Sequence, residues 1–248
     1  MRSLLLLIAF AVSATLLADT PKKPDDAIAE LERRLAQERT QHGTDSEVVA
    51  DTLGALAERH AERGDFEAAR KALDEVLGIK SKRFGAKHWK TTDARLNLAD
   101  LDATIKLKPA DLDRMNAAMK QSTQVVTLYR DGKFTEALPL ARQAGETLKS
   151  LFGERHRAYI QVLFNTASQL KALGRLAEAE KLLTESGNLY KETIGAAHPD
   201  YAQHLQKMGQ LYEDRRDFPK AAAMLEEAAA VRKSALGEAH ADYGTSLH

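Results

Sequence analysis

Four of the eight histidines, His88, His156, His198 and His240, end a recurring Gly-x-x-His, and neutral imidazoles are common zinc ligands. Their spacing argues against a shared metal. Each lies in a different copy of a repeat, and stacked repeats place equivalent residues on the order of 10 Å apart. A zinc ion held at ~2.1 Å per ligand cannot be reached from two such positions. A role in the loop, capping the next helix, is expected instead. Nucleophilic catalysis finds no better footing. There is no cysteine and no Gly-x-Ser-x-Gly, and the serines are scattered with no turn that would expose one beside a histidine. No Gly-x-Gly-x-x-Gly or other phosphate loop occurs. The 36 acidic residues fall on charged helical faces, where solvation accounts for them. No catalytic set, cofactor site or metal site is expected, and the chain reads as a non-enzyme.

The elements that carry these histidines repeat in register. The loops Phe84-Gly85-Ala86-Lys87-His88, Phe152-Gly153-Glu154-Arg155-His156, Ile194-Gly195-Ala196-Ala197-His198 and Leu236-Gly237-Glu238-Ala239-His240 share one pattern. Gly153, Gly195 and Gly237 stand 42 residues apart, as do Gly43 and Gly85; the interval from Gly85 to Gly153 is one period plus an insertion of 26. A second marker keeps the phase: Gly64-Asp65-Phe66, Gly132-Lys133-Phe134, Gly174-Arg175-Leu176 and Arg216-Asp217-Phe218. A small residue follows each at a fixed distance, Ala69, Ala137, Ala179 and Ala221, where two helices can approach closely. Between the markers, apolar residues recur three and four apart, as in Ile160, Leu163, Ala167 and Leu170, then Leu176, Ala179, Leu182 and Leu183. Two such stripes around a glycine turn make an antiparallel helix pair, and a fixed period of this length marks a solenoid.

Composition agrees with an all-α chain rich in Ala, Leu, Glu, Lys and Arg. Thirty-six basic and 36 acidic residues cancel, so net charge implies neither a nucleic-acid nor an anionic-membrane partner. Disulfides are excluded by the absence of cysteine. The N-terminus has a short positive start, an apolar run from Leu4 to Val12, small residues with cleavage sites after Ala14 or Ala18, and a polar continuation. This is a secretory signal pattern, and the run is short for a bilayer span. Cleavage would leave a secreted or periplasmic protein with no stable membrane insertion; the alternative is an uncleaved anchor.

In order, the expected segments are a signal peptide at 1–18, a linker and leading capping helix at 19–45, a repeat at 46–87, an inserted extra helix at 88–113, repeats at 114–155, 156–197 and 198–239, and the start of a further repeat at 240–248. Ser46 or Asp45 is expected as an N-cap, and Lys108-Pro109 breaks the insertion. Glycines and prolines are expected where helices start and stop. Residues 240–248 repeat the opening of the preceding unit, which leaves Leu225, Ala228 and Val231 on an uncovered apolar side. A longer array, or self-association through the C-terminal end, is expected from that.

These markers resemble the tetratricopeptide repeat. The small residue in the middle of each first helix is Ala57, Val125, Ala167 and Gly209, with Val125 a departure; the family's closing proline is replaced by eight further residues ending in Gly-x-x-His. The 42-residue form is similar to the kinesin light chain branch. The resemblance implies a right-handed superhelical solenoid of antiparallel helix pairs, here with one extra helix inserted, whose first helices face a concave groove that binds a peptide or protein. The family's groove positions fall on Gln161, Phe164, Ser168 and Lys171, then on Gln203, Gln206 and Gln210; Asn97 and Asn165 hold the place of an asparagine that can bond a peptide backbone. A signal peptide, the stretch His88 to Leu96, an extra helix and Gln124 to Tyr129 together look like the N-terminal part of bacterial proteins carrying a caspase-like CHAT protease domain. The expected function is a protein-interaction scaffold; the alternatives are the regulatory repeats of a larger CHAT protease, or a structural spacer with no groove ligand.

Overall fold

The glycine at each loop and the glycine at three of the four turns set the architecture, because both sit where a side chain is disfavoured. In this computed structural model, which describes residues 24–244, Gly85, Gly153 and Gly237 adopt φ of 86°, 87° and 86° with ψ of 161°, 172° and 163°. That region is open essentially to glycine alone. At the turns, Gly64, Gly132 and Gly174 have φ of 83°, 73° and 74°. All four turns close with the same two bonds: Asp65, Lys133, Arg175 and Asp217 donate their N–H to the carbonyls of His60, Leu128, Leu170 and Tyr212, while the residue before each bonds three positions back. This satisfies carbonyls that a helix end leaves orphaned. Arg216 occupies the fourth turn at φ 60°. Arg216→Gly should therefore stabilise the chain by roughly 0.5–1 kcal/mol, read as a higher urea midpoint at unchanged slope.

Among the described residues all regular structure is helical, and the chain divides into two units near residue 112. The first unit holds α1 (Pro24–His42), α2 (Glu47–Arg63), α3 (Phe66–Phe84) and α4 (Trp89–Ile105). Ile28 and Leu35 of α1 pack with Val49, Leu53 and Leu56 of α2 and with Val76 and Ile79 of α3. Polar ties reinforce this: Thr52 donates to Glu38 at 2.6 Å, and Arg39 pairs with Glu75 at 2.5 Å. Ser46 caps α2 by accepting from the Val49 N–H at 3.3 Å.

The division falls in the first turn of α5 (Pro109–Arg130), whose remainder belongs to the second unit with α6 (Phe134–Phe152), α7 (Arg157–Ala172), α8 (Leu176–Thr193), α9 (Pro199–Asp214), α10 (Phe218–Leu236) and the short α11 (Ala241–Gly244). Consecutive helices pair, α7 with α8 and α9 with α10. The alanines placed by register are the contact points: Ala69, Ala137 and Ala179 are fully buried and Ala221 nearly so. A Cβ at Gly209 would lie 2.8 Å from Leu225 Cγ. Leu225 thus packs onto its own partner helix and Ala228 is buried, which corrects the assignment of both to an uncovered side; Val231 is half-buried. A second correction concerns prolines. Pro109, Pro199 and Pro219 lie at helix starts, but Pro139 lies inside α6, where it forfeits one backbone bond.

The signal-peptide expectation, with residues 19–23, lies outside the described residues. No helix among the described residues is long and apolar enough to cross a membrane.

Candidate functional site

The repeated histidines cap helices. Nδ1 of His88, His156, His198 and His240 accepts the backbone N–H two residues on, at 3.2, 3.3, 3.1 and 3.2 Å. An accepting Nδ1 places the imidazole proton on Nε2. In two loops the aromatic that opens the motif stacks on its histidine, Phe84 on His88 at 4.8 Å and Phe152 on His156 at 4.4 Å. The loop signature is thus a helix stop, a glycine bend and a helix start in five residues. Among the described residues no group of three or more His, Asp or Glu side chains is placed to hold a metal.

Eight of the nine positions assigned to the groove fall on two neighbouring first helices of the second unit. Gln161, Phe164, Asn165, Ser168 and Lys171 lie on α7, and Gln203, Gln206 and Gln210 on α9. Asn97 lies half-buried on α4, in the first unit. On α7 the polar side chains form a chain of bonds. Tyr190 of α8 donates its hydroxyl to Gln161 Oε1 at 2.9 Å, and Gln161 Nε2 donates to Asn165 Oδ1 at 3.0 Å. Burial pushes the Tyr190 phenol well above its ordinary range, so it stays a donor. With its carbonyl engaged, Asn165 has its amide N–H groups to offer. Lys171 pairs with Asp214 of α9 at 2.8 Å and ties the two first helices together. Gln206 accepts from Arg232 of α10 at 2.7 Å, Gln203 is exposed and Gln210 is half-buried.

Phe164 is buried, its ring 5.8 Å from that of His204. Behind the face, His204 is packed among Phe164, Tyr190 at 6.0 Å and Tyr201 at 6.4 Å. Burial pushes its imidazole down to about 4, against a smaller opposing effect of the Leu183 carbonyl. Lys207 belongs beside these residues by register: it stands 42 after Asn165, at the same position of the next repeat. Burial, and then the charge of Lys171, hold its ammonium below the usual lysine range.

Two family profiles described as tetratricopeptide repeat match the chain, one over residues 167–234 and the other over 49–90 and 125–158, together more than half its length. No curated protein matches. Among solved structures, BtubC (BKLC) from P. vanneervenii is similar at 19% identity and TM-score 0.45, over 92% of this chain and 81% of that one. TPR-like repeats of the kinesin light chain type from Podosopora anserina are similar at 17% identity and TM-score 0.40, over 86% and 89%, and a variant of them at 17% and 0.39, over 85% and 87%. The matched segments fall on the helix pairs whose turns and packing alanines keep one register, and the chain belongs to the tetratricopeptide repeat family.

Proposed function

We propose that this chain is an exported, non-catalytic scaffold that holds an extended peptide segment of a partner protein along the α7–α9 face. Its repeats support a protein–protein interaction scaffold. The single observation that carries the finer reading is the Tyr190–Gln161–Asn165 chain, which engages the Asn165 carbonyl oxygen and fixes the side chain of a half-buried amide. A peptide backbone offers carbonyls at regular spacing, and an amide held by a buried phenol is ready to donate to one. Gln203 and Gln210 continue that polar line on α9. The extracytoplasmic assignment is supported by the apolar run from Leu4 to Val12 and the small residues after it.

Asn165→Ala is expected to weaken the partner about tenfold, the worth of one well-placed hydrogen bond. Capture from an extracytoplasmic extract on the wild-type chain and on the Asn165→Ala chain, quantified by mass spectrometry, reads this directly. Equal recovery of every captured protein would remove the face from recognition. Phe164 is left intact in this test, because its ring belongs to the packing around His204.

A further inference from the structure

A cleft of about 450 Å³ opens between α6, α7 and α8, and the candidate face has no part in it. Its floor is Val162, Leu163, Thr166 and Leu170 of α7. At 3.6 residues per turn these lie on the opposite side of α7 from Gln161, Asn165 and Ser168. The walls are Ala141 and Gly145 of α6 and Leu182 of α8. Around the rim stand Arg142, Glu146 and Lys149 on α6 and Glu178, Lys181 and Glu185 on α8, three charges of each sign. One end is bridged by Arg142 and Glu178 at 3.6 Å. At the other, the Lys149 ammonium lies 5.6 Å from the Tyr159 ring centre, and the Tyr159 hydroxyl reaches Glu185 at 3.4 Å.

The next repeat fills the equivalent seam. Val162, Thr166 and Leu170 stand 42 residues before His204, Met208 and Tyr212. There, the His204 ring is driven against Gly187, the counterpart of Gly145, so closely that a Cβ would meet Nε2 at 2.4 Å; at Gly145 the nearest atom is Val162 Cγ1 at 3.1 Å. His204 and Met208 are both buried. Three register positions therefore carry an imidazole, a thioether and a phenol in one seam, and two aliphatic groups and a threonine in the other.

We infer that the α6–α7–α8 cleft is a second binding site, taking a small neutral molecule built on one aromatic ring. The volume is that of a small-molecule pocket. The balanced rim offers no net charge to an ion, the floor is aliphatic, and the Tyr159 ring gives a flat ligand an aromatic wall. Glu146 and Lys181, which make no ion pair among the described residues, stand where a single N–H or hydroxyl of the ligand can reach them.

Indole is the probe, used with the full chain. Methyl signals of Val162, Leu163 and Leu170 are expected to shift and saturate, and the Tm to rise with indole concentration. Thr166→Met, which imports the counterpart Met208, is expected to melt above the wild type without probe and to bind indole at least tenfold more weakly. Thr166→Val, which removes only the hydroxyl, should bind as the wild type does. Indole-3-carboxylate should bind at least tenfold more weakly than indole. Unmoved methyls up to the solubility limit of indole, a Thr166→Met chain that melts lower than the wild type, or equal binding of indole by that variant would overturn the site. Equal binding of the carboxylate would overturn its neutral character.

Discussion

Acidification from pH 7 to pH 4 should cost this protein about 3 kcal/mol through His204 alone. In the unfolded chain an exposed imidazole takes its proton near pH 6.5. In the folded chain burial holds that event down to about 4. Between those values the unfolded state binds a proton that the folded state refuses. Stability therefore falls as pH falls through this window and levels off below it. The structural cause is the packing: His204 is 2% exposed, three aromatic rings surround it, and its Nδ1 has no hydrogen-bond partner. Carboxylates titrate in the same range, so the informative quantity is the difference between wild type and His204→Leu. Urea unfolding of both at pH 7, 5.5 and 4 should show the wild type losing about 3 kcal/mol relative to His204→Leu as pH falls. Parallel pH profiles would mean that His204 is not held neutral.

Gly187→Ala should destabilise by about 1–3 kcal/mol although alanine is the better helix former. The new Cβ would stand 2.4 Å from His204 Nε2 and 2.8 Å from Cδ2. The imidazole cannot swing aside, because Tyr201 stacks on it within 9° of parallel and Phe164 and Tyr190 close the other sides. The α8–α9 contact must open instead. Gly54 and Gly78 serve as controls: each lies inside a helix with nothing near a Cβ, so Gly54→Ala or Gly78→Ala should stabilise by roughly 0.5–1 kcal/mol. Opposite signs at Gly187 and Gly78 in thermal melts are the expected result. Combining Gly187→Ala with His204→Ala should recover most of the loss relative to His204→Ala, because the two changes act on one contact.

The features legible in the sequence are those that a single residue decides locally. Gly85, Gly153 and Gly237 could be read because only glycine fits their backbone, and Ala69, Ala137 and Ala179 because close helix approach needs a small residue. The histidines were legible as loop elements by their spacing, though the bond each makes was not, since it depends on a rotamer. His204 and Gly187 were not legible as a pair. They are 17 residues apart on different helices, and neither departs from its local pattern. Pro139 is not legible as a helix-interior proline, because its place beyond the first turn of α6 leaves the surrounding apolar periodicity unbroken. On the candidate face, the family resemblance assigned the amides, while the Tyr190 bond that orients Gln161 comes from packing of α8 against α7. Lys207 could have been found by carrying the asparagine register one period further.

The central claim is that the α7–α9 face grips a peptide through its amide side chains. It is tested most directly by following the side-chain amide signals of the full chain during titration with a peptide selected on it from a random library. Asn165 is expected to shift most, with Gln161, Gln203 and Gln210 following, and Asn165→Ala to weaken the same peptide about tenfold. Shifts confined to α6 and α8, or a peptide that binds the Asn165→Ala chain as tightly as the wild type, would contradict it.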